Sequence, residues 1–140
     1  MTVRQATTVS IGGRGVLIEG PSGSGKSSLA LALIDRGAVL VGDDGVILST
    51  RDGRLIAAPH PHTRVLIEVR NLGLLPVPVV EEVPICLVIL LDPVAPRFIE
   101  EAETVALEGI ALPRIRLRPE GAILPLKVEL ALTHYGLAAD

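Results

Sequence analysis

The sequence predicts an α/β domain whose mixed sheet carries a phosphate-binding loop, and two stretches predict it. Gly20-Pro-Ser-Gly-Ser-Gly-Lys-Ser27 fits the pattern G-x-x-x-x-G-K-[ST] between a strand-length apolar run, Gly15–Glu19, and a helix-length one, Ser28–Asp35. Ile85–Leu91 is an unbroken apolar run stopped by Pro84 and Asp92, too short to span a membrane and suited to a strand covered on both faces. The aromatic fraction is only 1% while the apolar fraction is 49%, so the core has to be assembled from Val, Leu, Ile and Ala.

The charge balance excludes some partners. A formal net charge of −3, a pI near 5.6 and only Phe98 and Tyr135 as aromatics argue against a nucleic-acid surface, which needs cations or stacking platforms. Mean hydropathy is high at +0.52, which suggests doubly covered strands or a subunit interface. Met1-Thr-Val-Arg-Gln lacks the apolar segment of a signal peptide, so a cytoplasmic location without membrane contact is expected. Cys86, alone in its strand, reads as a core residue. The 140 residues read as one domain, 1–140, large enough for its own core.

Taken in order, Val3–Ile11 is β-branched, and Gly12-Gly13-Arg14-Gly15 then turns it into the strand before the loop, a hairpin that makes the sheet mixed. In the loop, Gly20, Gly23 and Gly25 let the backbone curl its N–H groups inward around Pro21, Ser22 and Ser24. The following helix adds its unpaired amides. A polyphosphate fits there, with Lys26 bridging its outer phosphates and the Ser27 hydroxyl placed to hold Mg²⁺. The helix stops at Arg36-Gly37. Ala38–Asp44 reads as a strand ending in two acids, and Val46–Thr50, Arg51-Asp-Gly53 and Leu55–Ala57 read as a hairpin.

Pro59-His-Pro-His-Thr-Arg64 is a proline-rich loop. His60 and His62 read as loop residues beside the nucleotide or as exposed ones, since no further Cys or His supports zinc. Val65–Arg70 is apolar apart from Glu68 and Arg70. Glu68 either faces a metal or cation, or is a surface residue or one that forms an ion pair with Arg70. Glu100, Glu101, Glu103 and Glu108, interleaved with apolar residues through Leu112, read as a solvated edge. Ile115–Arg118 alternates as a strand whose two arginines line a phosphate site or face water. From Ile123 to Leu137 the positions Leu126, Leu130, Ala131 and Leu137 recur at helical spacing, so an amphipathic helix closes the chain.

The acids decide what chemistry joins the loop. Asp43 and Asp44 are adjacent on an extended chain and point in opposite directions, so one can take a proton from an acceptor hydroxyl while the other orients Mg²⁺ or the loop.

At these residues the chain resembles the catalytic domain of the HPr kinase/phosphorylase family, bacterial enzymes that phosphorylate a serine of the phosphocarrier HPr. The resemblance rests on Gly20–Ser27, Arg36-Gly37 and Asp43-Asp44, and most specifically on Ile67-Glu-Val-Arg-Asn-Leu-Gly-Leu74, which meets the family motif Leu-Glu-Ile-Arg-Gly-Leu-Gly-Ile. It continues through the proline-flanked strand near Pro113. It implies the HPr kinase and PEP-carboxykinase-like fold, Mg-ATP as phosphoryl donor, a serine of HPr or an HPr-like protein as acceptor, and a hexamer. It also implies that Lys26 and Ser27 bind phosphate and Mg²⁺, that Glu68 is a Mg²⁺ ligand, and that one of the aspartates, with Asp44 favoured over Asp43, is the proton acceptor. The chain departs from the family in placing Gln5 where a histidine is usual, Ser28 where an acid is common, and Glu120-Gly121-Ala122 where a Gly-Arg-Asn turn is found. It also looks like a short form without the amino-terminal domain of many members. Gln cannot titrate, so the resemblance favours the kinase direction over the reverse, phosphate-consuming one. It leaves two rivals: a nucleotide-binding regulator without transfer, and an unrelated small-molecule kinase or NTPase.

Overall fold

Thirteen elements lie along the chain of the computed structural model, which describes residues 1–60, 66–77 and 79–140. The first strand, β1 (Thr2–Arg4), is short, and the chain breaks at Gln5-Ala6 before β2 (Thr7–Ile11). The β-branched stretch expected as one strand is therefore two, because β1 pairs antiparallel with β5 (Val46–Arg51) while β2 pairs with β3 (Arg14–Glu19). Gly12 and Gly13 make the β2–β3 turn with φ of 59° and 83°, the left-handed pair a two-residue hairpin needs. Helix α1 (Lys26–Asp35) follows the loop, and its end is closed by N–H bonds from Gly37 to Ile34 O and from Ala38 to Leu33 O, both 3.0 Å.

The next strand, β4 (Val39–Gly42), pairs antiparallel with β2 and delivers the acidic pair. The β5 hairpin partner is β6 (Arg54–Pro59), and β7 (Leu66–Val69) with β8 (Gly73–Pro76) forms a separate two-stranded hairpin. The strand expected to be central is so: β9 (Val83–Leu91) runs parallel to β3, antiparallel to β6, and parallel to β11 (Ile110–Leu117). The sheet order is β1-β5-β6-β9-β3-β2-β4, with β11 branching from β9 and carrying β10 (Glu103–Leu107) as a hairpin partner. The acidic region around Glu103 is thus an edge strand, exposed along most of its length as the interleaved glutamates predict.

Alternation along β3 divides the core. Val16 and Ile18 face α1 and α2 (Leu124–Tyr135), while Leu17 faces a second cluster with Val46, Leu48 and Leu112. The β3–β9 register shifts between Gly15 and Val16, so that Cys86 and Leu87 both join the helix-side core. Cys86 is fully buried, as a core residue should be.

Helix α2 forms where expected, but of the four recurring positions only Ala131 packs inward. Leu124, Val128, Ala131 and Leu132 pack inward, whereas Leu126 and Leu130 are 38% and 49% exposed and Leu137 lies beyond the helix, 40% exposed. The segment is apolar on two sides, and both sets recur at helical spacing, so periodicity alone supports either. Contacts with α1 and β9 select the one that holds Val128. After the helix, the chain is strapped down by Leu137 N–H to Cys86 O at 2.9 Å and by Arg14, whose guanidinium donates to the carbonyls of Leu132 and Leu137.

Candidate functional site

Three elements converge on one cleft of about 710 Å³, and a fourth lines a smaller cavity beside it. The first is the turn from β3 into α1. Gly20 lies against the end of β9: a Cβ there would sit 3.1 Å from Leu91 Cβ and 2.8 Å from Ser24 Oγ, so only glycine lets the loop leave the sheet this closely. Gly25 caps α1 in the left-handed region with φ 96°, and the helix start has neither a side-chain cap nor an acidic residue in its first turn. Its amides and positive dipole end are left for an anion. Ser22, Gly23, Gly25, Lys26 and Ser27 line the cleft. Gly20 lines a smaller adjoining cavity, and Pro21 and Ser24 form the turn beneath, joined by a Ser24 N–H to Pro21 O bond of 3.0 Å. Lys26 Nζ is folded back on the loop, donating to Gly20 O at 2.7 Å.

The second element is the bend after β4. Asp43 is held from three sides. Ser27 Oγ donates to its Oδ1 at 2.6 Å, the Glu68 backbone N–H to its Oδ2 at 3.3 Å, and Thr7 Oγ1 to its carbonyl oxygen at 2.7 Å. Asp44 is exposed, lines the same cleft and has no such tethers. The two acids that look equivalent in the sequence therefore occupy different environments, but not by facing opposite ways along a strand: β4 ends at Gly42, and both acids line the same cleft from the bend.

The third element is the β7–β8 hairpin. Ile67 is fully buried and anchors it in the helix-side core, which turns Glu68 outward into the cleft. The alternative of a Glu68–Arg70 ion pair is not adopted: both side chains line the cleft, and no ion pair joins them. The fourth element is the break at Gln5, which lines the smaller cavity with Lys26, Asp43 and Asp44. His60 also lines the main cleft, and His62 lies outside the described residues.

The arginines of β11 are elsewhere. Arg116 bridges Glu103 at 2.7 Å and Asp92 at 3.1 Å, and Arg118 donates to Ala95 O at 2.9 Å. A backbone bond from Val94 chiefly, and the Arg116 guanidinium as well, hold the Asp92 carboxyl below its ordinary range; the hydrogen bond from Arg116 does the same to Glu103. Sequence reasoning missed Thr7, which tethers Asp43, and the place of Arg70 in the cleft. β7 ends at Val69, so Arg70 reaches the cleft from the hairpin turn and not from a strand face shared with Glu68.

The donor set around Ser27 suits a hard cation. A hydroxyl and carboxylates are the oxygen ligands Mg²⁺ prefers, and Mg²⁺ is usually held by one or two protein groups together with substrate phosphates. Among the described residues no group of three or more His, Cys, Asp or Glu is placed to hold a metal. None of the described helices is long and apolar enough to cross a membrane.

Known proteins give this geometry a family. The family model described as HPr Serine kinase C-terminal domain matches residues 1–83. An HPr kinase/phosphorylase of Streptococcus thermophilus is 34% identical over 141 residues, covering 91% of this chain and 46% of the relative. Another, from Mycoplasma mycoides subsp. mycoides SC, is 44% identical over 69 residues, covering 49% of this chain and 22% of the relative. The chain spans less than half the length of either. The solved structure of the Hpr(Ser) kinase/phosphatase from Coxiella burnetii overlays it with a TM-score of 0.85 at 31% identity, covering 95% of this chain and 89% of that one. By family model, sequence and fold together, the chain belongs to the HPr serine kinase C-terminal domain family.

Proposed function

We propose that this chain is a single catalytic domain that transfers the γ-phosphoryl group of Mg-ATP to a serine hydroxyl of HPr or an HPr-like carrier. The observation that carries the reading is the asymmetry of the acidic pair, with Asp43 bound to Ser27 and to the Glu68 amide while Asp44 faces the cleft untethered. A kinase of this type needs one group to fix the metal side of the site and another free to accept a proton.

In this reading the amides of Gly20–Ser27 and Lys26 hold the phosphates. Lys26 exchanges its bond to Gly20 O for a phosphate oxygen. Ser27 and Glu68 would hold Mg²⁺, which neutralises phosphate charge when bound. Asp43 orients the Ser27 hydroxyl so that an oxygen lone pair faces the metal position. Asp44 accepts the proton of the acceptor serine as that oxygen attacks phosphorus. Most of the catalysis is positioning and charge neutralisation. Self-association belongs to the same proposal, and the exposed Leu126 and Leu130 of α2 support it.

One observation favours a second reading, a nucleotide-binding regulator without transfer. Gln5 cannot titrate and lines the cavity beside Asp44. The two are separated by transfer of labelled γ-phosphate from Mg-ATP to purified HPr, beside HPr whose acceptor serine is alanine. Label on the serine protein alone supports the kinase. Nucleotide binding without label on either protein would overturn it in favour of the regulator.

A further inference from the structure

The bend that carries the acidic pair lies past the end of β4, between Gly42 and Gly45, so its backbone has little stiffness of its own. A bulge puts it where it is. Thr8 of β2 pairs with Gly42 of β4 while Val9 pairs with Leu40, which makes Val41 an extra residue on β4. Without that residue Asp43 would fall opposite Ala6. With it, Asp43 falls opposite Thr7.

The ladder stops at this point and a side chain takes over, Thr7 Oγ1 donating to Asp43 O at 2.7 Å. Thr7 is fully buried at the floor of the cleft, where a hydroxyl is costly unless it is bonded. The adjacent Thr8 Oγ1, equally buried, has no partner, so burial in β2 does not by itself provide one. The bulge provides it for Thr7.

The bond reaches Asp44 through the backbone. The Asp43 carbonyl and the Asp44 amide share one planar peptide unit, so holding the oxygen fixes the unit from which Asp44 departs. The Asp43 carboxylate has its own tethers, from Ser27 Oγ and the Glu68 amide, whereas the Asp44 side chain has none among the described residues. We infer that Thr7 is a positioning residue for phosphoryl transfer, its hydroxyl holding the peptide between the two acids so that the untethered Asp44 carboxylate faces the acceptor hydroxyl; this rests on the kinase reading above. As the acceptor oxygen bonds to phosphorus and ADP leaves, the acceptor proton passes to Asp44, and Thr7 exchanges no proton in the step.

The test measures kcat and acceptor KM for transfer from Mg-ATP to HPr, and Mg-ATP affinity, in the wild-type chain, Thr7→Val and Thr7→Ser, and repeats Thr7→Val in an Asp44→Asn background. Thr7→Val keeps the shape of the side chain and removes the donor; Thr7→Ser keeps the donor. The expected result for Thr7→Val is a kcat lower by about 10–10²-fold, with acceptor KM and Mg-ATP affinity within about threefold of wild type, and for Thr7→Ser a kcat within about threefold. In the Asp44→Asn background Thr7→Val should lower the rate by less than about twofold, because the group it positions is gone. Equal losses in Thr7→Val and Thr7→Ser, an undiminished loss in the Asp44→Asn background, weakened Mg-ATP binding, or a wild-type kcat in Thr7→Val would each overturn the inference and leave the kinase reading standing. If the wild-type chain transfers no phosphate to HPr, the kinase reading falls and this inference with it.

Discussion

The Ser27 hydroxyl donates to Asp43 Oδ1 at 2.6 Å, which ties the residue after the loop lysine to the first of two adjacent acids and leaves the second unengaged. Removing the two carboxylates should therefore have unlike effects. Asp44→Asn is expected to lower transfer by about 10²–10⁴-fold, the usual worth of a general base, with the magnesium requirement unchanged. Asp43→Asn is expected to raise the magnesium concentration needed for half-maximal nucleotide binding, because its amide no longer presents two acceptors to Ser27 and the Glu68 amide. Magnesium titrations of binding and rate for both variants check this, and the same profile for both would refute the division of labour.

Gly20 presses on Leu91, where the loop leaves the sheet. Gly20→Ala adds a methyl with no room and is expected to destabilise the fold by about 1–3 kcal/mol, as overpacking does. Urea unfolding measures it. A midpoint equal to wild type would mean that the loop and β9 separate easily.

Helix α2 offers a paired comparison between its two apolar faces. Leu132→Ala, at a position 3% exposed, should cost about 2–5 kcal/mol, whereas Leu130→Ala, at one 49% exposed, should stay within about 0.5 kcal/mol. Reversed values would restore the face that spacing alone suggests.

The Arg116 bridge has an acid signature. Asp92 and Glu103 are held below their ordinary values of 3.8 and 4.5, so their contribution is present above those values and fades as pH falls through the depressed ones. Without the guanidinium both carboxyls rise toward ordinary values. The gap in urea midpoint between wild type and Arg116→Met should be present at pH 7 and shrink below about pH 4. A gap that stays constant down to pH 3 would assign the effect of Arg116 to packing.

The sequence discloses the parts of this fold that are local. The loop declares itself because Gly20–Ser27 is contiguous, and the central strand because Ile85–Leu91 is apolar at every position. The two-aspartate bend and Glu68 are legible as residues. Their division is not, since it depends on bonds from Thr7 and Ser27 across the sheet. Arg116 shows the same limit: its partner Glu103 is set by the β10–β11 register, in which Glu103 lies opposite Arg114. The inward face of α2 is likewise a matter of what it meets, for two apolar stripes compete and the contacts with α1 and β9 select one of them.

The branching at β9 bears on how the chain is made. β3 ends at Glu19, directly before the loop, yet its parallel neighbour begins only at Val83. At about 5–20 residues per second, several seconds pass between synthesis of the two strands. During that interval the glycine loop has only β2 and β4 beside β3 to brace it, and Gly20 has no Leu91 to lean on.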